Sequence, residues 1–105
     1  MLYDEQQGHD AQIDAIAIDV LGRTVTLRLS AYANEESPKR DAIEIIFRDV
    51  EQVQSIADMI RLEKNRGAGN VNHWHVADGP GSSFFYFVEG CLVVTAGTAP
   101  TVRTR

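Results

Sequence analysis

The sequence contains little cysteine: one residue, Cys91, among 105. A single thiol cannot form an internal disulfide, which excludes a disulfide-stapled secreted scaffold and favours a reducing compartment. The first residues show no basic region followed by an apolar one, so we expect no secretory signal and a cytoplasmic location. The uncharged apolar stretch 91–96 is far shorter than the ~20 residues of a membrane-spanning helix, so no membrane span is expected.

Basic residues are also scarce, with 10 Lys and Arg against 15 Asp and Glu, a formal net charge of −5. Residues 1–22 contain five acidic residues and no Lys or Arg, and the remainder of the chain is balanced. Sequence-independent nucleic-acid binding needs a cationic stripe, so nucleic acid is not an expected partner. A large partner steered by this charge would be basic, although moderate negative charge most often serves solubility.

Length and composition are those of one globular domain. A chain of 105 residues leaves no room for a second domain, and 44% hydrophobic with 24% charged residues is ordinary globular usage. We divide the sequence into a polar, acidic N-terminal segment at 1–12, a single α+β domain at 13–97, and a threonine-containing flexible tail at 98–105.

Alternation of apolar and polar residues predicts strands along most of this domain. Ile16 and Ile18 share one side of the first strand, and Gly22 turns the chain into the second. After Asp49 the apolar spacing changes to three and four, which predicts an amphipathic helix that ends near Gly67. The predicted strands are residues 14–20, 24–32, 41–48, 70–77, 83–88 and 91–96.

The resulting element order is β-β-β-α-β-β-β. It is typical of the α+β class, with one helix packed on an antiparallel β-sheet or half-barrel. The apolar side of each element should face the core, because side chains alternate along a strand and recur every three to four residues on a helix. The predicted core residues are Ile16, Ile18, Leu27, Leu29, Ile45, Phe47, Val53 and Trp74.

Two imidazoles are the strongest candidate metal ligands. His73 and His75 are two positions apart on a predicted strand, so they point to the same side and can share a metal ion. Their spacing resembles the opening of the cupin metal motif, which implies a small metal- or ligand-binding domain as an alternative function. Cupins place a carboxylate a few residues later, where this chain has Gly79 and Pro80. Since a transition metal needs three or four converging ligands, a solvent-facing histidine pair is favoured and no cofactor is predicted.

Two further features could carry chemistry. Cys91 would be a nucleophile if His73 or His75 lay beside it as a base, but an unpaired cysteine at the start of an apolar strand is more typical of a buried residue. The glycine-bearing stretch 66–70 follows a predicted helix, whereas phosphate-binding loops precede one, so it is interpreted as a helix stop. No catalytic residue is predicted, and we do not expect an enzyme.

Aromatic residues are concentrated at 84–87, which reads Phe-Phe-Tyr-Phe. A strand with this sequence places rings on both of its sides, so the outer rings need a cover. The helix, a protein partner, or a second copy in a homodimer could provide it, because large exposed apolar patches mark interaction sites.

The pattern over about residues 13–97 resembles small bacterial domains that include immunity proteins of polymorphic toxin systems. It includes Thr-Val-Thr-Leu-Arg-Leu at 24–29, Ile-Glu-Ile-Ile-Phe-Arg-Asp-Val at 43–50, Gly-Asn-Val-Asn-His-Trp at 69–74 and Tyr-Phe-Val-Glu-Gly-Cys-Leu-Val-Val-Thr-Ala at 86–96. The resemblance implies non-enzymatic inhibition of a cognate toxin and supplies no catalytic residue.

We therefore expect a non-enzymatic protein-binding domain, with an immunity-type inhibitor as its specific form. Its acidic residues would attract a basic partner and its tyrosines would anchor it, because charges at an interface act mainly on encounter and buried aromatics contribute most affinity. The predicted partner-binding residues are Asp10, Asp14, Asp19, Tyr32 and Tyr86.

Overall fold

The computed structural model describes residues 9–105 as eight strands and one short helix. Residues 1–8 of the predicted acidic segment lie outside the described residues. The elements are β1 (Gln12–Asp19), β2 (Thr24–Ala31), β3 (Asp41–Phe47), β4 (Val50–Ile56), α1 (Met59–Lys64), β5 (Val71–His75), β6 (Gly81–Phe87), β7 (Gly90–Ala96) and β8 (Thr101–Thr104).

The strands form two four-stranded sheets. The first sheet has the order β1-β2-β3-β8 and the second has the order β4-β7-β6-β5. Every pairing is antiparallel. The α+β class with an antiparallel sheet and one helix is confirmed. No helix within residues 9–105 is long and apolar enough to cross a membrane.

The inner sides of the two sheets share one apolar core. Phe47 of the first sheet meets Phe85 of the second edge-on, with ring centroids 6.2 Å apart, and Trp74 packs edge-on against Phe85 at 5.9 Å. Edge-to-face geometry is favoured because the positive edge of one ring meets the negative face of the other. These rings join the two layers at the centre of the molecule.

Most predicted core residues occupy this core, and one does not. The side chains of Leu27, Leu29, Ile45, Phe47 and Trp74 are buried, and those of Ile16 and Val53 are partly buried against them.

Ile18 is 53% exposed, so its predicted burial was wrong. It lies opposite the buried Val25 and therefore points to the core side of β1. Because β1 is at the edge of the first sheet, the cover over this position is incomplete, and Ile18 lines an open groove with Val53. The alternation was correctly predicted for this strand, but alternation carries no information about how far the opposite layer extends.

The helix predicted after Asp49 is also corrected, because residues 50–56 form strand β4. The register of β4 against β7 shifts between Val50 and Gln52, which marks a bulge at Glu51. The extra residue lets Val50 and Val53 both face inward although they are three positions apart. A bulged strand thus reproduces the apolar spacing of a helix.

The helix itself begins nine residues later than predicted, at Met59. Its N-cap is Asp58, whose Oδ1 accepts a hydrogen bond from the Arg61 backbone N–H at 3.0 Å. Leu62 is its buried residue, and Asn70 ties it to the first sheet. The buried Asn70 amide accepts from the Ile13 N–H at 2.7 Å and donates to the Leu62 carbonyl at 2.9 Å.

The tail predicted to be flexible contains strand β8, which pairs with β3. Val102 lies opposite Ile45, and the Arg105 backbone N–H donates to the Ala42 carbonyl at 3.0 Å. Residues 101–104 have a weak strand signal of their own. They form a strand because the free edge of β3 offers backbone N–H and carbonyl groups as hydrogen-bond partners.

Leucine deletions at two positions test this arrangement. Leu27→Ala should lower the free energy of unfolding by about 2–5 kcal/mol, because the side chain is fully buried and its loss leaves a cavity. Leu21→Ala deletes the same atoms at a hairpin position that is 98% exposed, and should change stability by less than about 0.5 kcal/mol. Denaturant unfolding of both variants provides the measurement, and equal midpoints would refute the assigned strand register.

Candidate functional site

The outer side of the second sheet carries an unusual set of side chains. Cross-strand pairing aligns them in three rows, and none of them is Asp, Glu, Lys or Arg. We call this set the aromatic face. Its rows are His73, Tyr86, Cys91 and Ile56; then His75, Phe84, Val93 and Gln54; then Ser82, Thr95 and Gln52.

Strand geometry requires these residues to point outward. Trp74 and Phe85 lie opposite each other and are fully buried, so their neighbours along each strand must lie on the other side. His73 and His75 therefore share the outer side of β5, as their spacing predicted, and Phe84 and Tyr86 share the outer side of β6.

The four rings on this face are in mutual contact. The imidazole of His73 stacks on Tyr86 with centroids 6.1 Å apart and planes 16° from parallel. His75 contacts Phe84 at 5.1 Å, and Phe84 contacts Tyr86 at 5.9 Å. Tyr86 nevertheless remains 47% exposed, and Ile56, at the end of its row, is 69% exposed. The rings are thus held in position while part of their surface stays accessible.

The outer side of the first sheet is different. Glu44 lies there between Arg28 and Arg103, with nitrogen-to-oxygen distances of 3.8 and 3.1 Å. An antiparallel sheet with one side in water normally carries such polar residues on that side. The first sheet follows this pattern except at Ile46, whereas the second presents rings and aliphatic groups.

The charged residues that belong to the second sheet are all acidic. The strands of the second sheet and their hairpin turns, residues 50–56 and 71–97, contain Glu51, Asp78 and Glu89 and no Lys or Arg. All three are exposed. Glu51 is the bulge residue of β4, and the other two lie in the turns that flank β6. We call Glu51, Asp78 and Glu89 the acidic rim. An uncharged face with an acidic rim is complementary to a protein surface that has an apolar centre and a basic margin.

The predicted acidic residues are not brought together with this face. Asp14 forms ion pairs with Arg66 at 2.7 Å and Arg105 at 3.0 Å, and its side chain is only 18% exposed. Asp19 accepts a hydrogen bond from the Gly22 N–H at 3.0 Å within the β1–β2 turn. Both belong to β1 of the first sheet. Because Asp14 is paired within the domain, replacing it by a neutral residue would also remove its ion pairs with Arg66 and Arg105.

Asp10 and Tyr32 do lie near each other. They line an open cleft with the 34–38 loop, and Arg40 places its guanidinium 4.9 Å from the centre of the Tyr32 ring. Arg40 also donates to the Asp10 carbonyl at 3.0 Å. Tyr86 is on the outer side of the second sheet, so the two predicted tyrosine anchors belong to separate surfaces.

Cys91 and the histidines do not form a nucleophile–base pair. Strand β6 separates β7, which contains Cys91, from β5, which contains the histidines. The cross-strand neighbour of Cys91 is Tyr86, and two strand spacings of about 4.8 Å place its backbone roughly 10 Å from that of His73. Among residues 9–105, no group of three or more His, Cys, Asp or Glu side chains could hold a metal ion.

Sequence reasoning missed the aliphatic part of the aromatic face. Val93 could have been found, because it alternates with the buried Leu92 and Val94. Ile56 could not, because the apolar spacing after Asp49 predicts a helix there.

Comparisons with protein-family models, with curated protein sequences and with solved structures find no match for this chain.

Metal content is predicted from the ligand geometry. We expect no tightly bound zinc, iron or nickel, because His73 and His75 supply two ligands where a stable site needs at least three. Elemental analysis of protein purified without added metal provides the measurement, and His73→Ala is the matched variant. Stoichiometric metal that disappears in this variant would contradict the prediction and favour the cupin-like alternative centred on the two histidines.

Proposed function

We propose that this chain is a non-enzymatic protein-binding domain that contacts its partner through the aromatic face. The observation that carries the proposal is the uncharged outer side of the second sheet, with its four contacting rings and the exposed Tyr86 and Ile56. Depletion of charge together with enrichment in aromatic residues distinguishes the centre of protein interfaces from the remaining surface.

Tyr86 is the proposed anchor of this interface. It lies in the first row between His73 and Cys91, and both His73 and Phe84 contact its ring. These contacts restrict the ring before binding, so little side-chain entropy remains to be lost when a partner covers it. A preorganised tyrosine at the centre of an interface is a common source of binding free energy.

The proposed partner is a basic protein. The acidic rim formed by Glu51, Asp78 and Glu89 attracts positive charge towards the aromatic face, and the net charge of −5 acts in the same direction. Asp10 and Asp19 contribute only to this overall charge, because they belong to other surfaces. Asp14 contributes less, since Arg66 and Arg105 already neutralise it.

The specific form of this proposal is an immunity-type inhibitor that binds a cognate bacterial toxin in the cytoplasm. The resemblance in the sequence pattern supports it, and a basic toxin fits the acidic rim. An inhibitor of this kind acts by covering its target, so the domain needs an accessible contact surface and no reactive group of its own.

Binding kinetics against the product of the adjacent gene test the proposal. Tyr86→Ala should raise the dissociation constant at least about tenfold, because loss of a central aromatic anchor costs upwards of about 1.4 kcal/mol. Tyr32→Ala is the matched control, since it removes the same side chain from the cleft beside Arg40. Denaturant unfolding of both variants checks that each remains folded, because each ring also has contacts within the domain.

The same binding measurement tests the contribution of the acidic residues. Replacing Glu51, Asp78 and Glu89 by the corresponding amides should slow association at low salt and change dissociation much less. The paired variant Asp10→Asn with Asp19→Asn should have a smaller effect, because these residues lie away from the aromatic face. A loss of affinity in Tyr32→Ala with none in Tyr86→Ala would place the contact surface at the cleft and contradict the proposal.

A further inference from the structure

The free edge of β1 offers a second interaction surface. β1 ends the order of the first sheet and pairs with no strand but β2 among the described residues. The Asn70 side chain bonds the backbone of Ile13 on the other side, and at residues 15–18 that side has no backbone partner within residues 9–105. Such edges are usually protected by charge, proline, bulges or shortness. Residues 15–18, Ala-Ile-Ala-Ile, contain neither charge nor proline, and the bulge at Asp14 precedes them.

The other sheet edges are better protected. β8 has four residues and includes Arg103, and β5 has five residues and a register shift at Asn72. β4, like β1, has a bulge at an acidic residue, but beyond Glu51 it carries polar Gln and Ser side chains where β1 has only Ala and Ile at 15–18. At eight residues, β1 is the longest of the four edge strands. Of the four edge strands, β1 is therefore the one most open to pairing with a further strand.

Apolar side chains accompany this edge. Ile16 and Ile18 lie opposite Leu27 and Val25, which are fully buried, so both isoleucines point to the core side of the sheet. Ile16 lines an open groove of about 310 Å³ with Met59 of α1, and both Met59 and Ile18 are exposed. A strand added to β1 would extend the first sheet, and its own core-side residues would lie beside these exposed apolar side chains.

We propose that the strand added to β1 is β1 of a second copy of this chain, in an antiparallel pair with Ala17 opposite itself. In this register Ile16 lies opposite Ile18 of the second copy, and Ala15 lies opposite Asp19. Residues directly opposite in an antiparallel pair have their side chains on the same side of the sheet. The isoleucines of the two copies thus meet on the core side, and no like charges oppose each other.

Charge complementarity selects this register. Ala15 pairs with Arg28 within one copy, so Asp19 of the second copy falls in the same row as Arg28, with only the small Ala15 between them. The Arg28 side chain is 58% exposed and lies 3.8 Å from Glu44, so it has the reach and freedom to turn towards this carboxylate. The two-fold axis produces the same pair twice.

The neighbouring registers lack this match. With Ile16 opposite itself, Asp14 would face Ile18 of the second copy. With Ile18 opposite itself, Asp19 would face Ala17, whose row continues to Thr26.

Pairing at Ala17 joins the first sheet of one copy to the first sheet of the other, which gives one continuous sheet. The aromatic face belongs to the second sheet, so each copy keeps its own face for a partner, and the dimer is independent of the proposed function.

Molecular mass measured by sedimentation equilibrium over a range of concentrations tests the dimer. The unchanged protein should dimerise, and Ile18→Lys should raise the dimer dissociation constant at least tenfold by introducing a charge on the core side of the edge. Ile56→Lys is the matched control, because it makes the same change at an exposed position of the second sheet. It should leave the dimer intact while weakening partner binding.

A charge swap tests the register. Asp19→Arg and Arg28→Asp should each weaken the dimer, and the two changes together should restore it. Amide hydrogen exchange supplies a second readout that needs no variant: residues 15–18 should exchange more slowly as concentration rises. A monomeric mass at every concentration, a dimer insensitive to Ile18→Lys, or a double swap that fails to restore association would each overturn the proposal. Circular dichroism of each variant confirms that it is folded.

Discussion

Burial of Trp74 and Phe85 between the two sheets is the constraint from which the candidate site follows. Phe85 meets Phe47 of the first sheet and Trp74 of its own sheet edge-on, which fixes the inner side of β5 and β6. Because neighbouring residues on a strand face opposite ways, this burial directs the flanking histidines, Phe84 and Tyr86 outward. The aromatic face is thus a geometric consequence of the core. The packing that stabilises the fold also orients the surface proposed to bind.

The helix leaves this surface accessible because it docks elsewhere. Leu62 and the hydrogen bonds of Asn70 attach α1 beside β1, and Met59 borders the groove next to Ile16. The outer side of the first sheet is occupied by ion pairs around Glu44. Charge is consequently placed on one sheet and apolar surface on the other, and this difference between the two outer sides supports a binding role for the second.

The sequence predicted features that depend on local alternation and missed those that depend on distant partners. Leu27, Trp74 and the shared side of the two histidines follow from a period of two. Strand β4 was missed because the bulge at Glu51 imitates helical spacing. The ion pairs of Asp14 link it to residues 52 and 91 positions away, a separation at which neither spacing nor composition predicts contact. The same limit explains why the sequence predicts Asp14 as a partner-binding residue although its carboxylate is paired within the fold.

Hydroxyl-radical footprinting of the complex with the basic partner tests the central claim most directly, because it reports side-chain accessibility at individual residues. Binding through the aromatic face should protect Tyr86, Phe84 and His73 from oxidation and leave Tyr32 unchanged. Protection of Tyr32, with Tyr86 as reactive as in the free protein, would contradict the account.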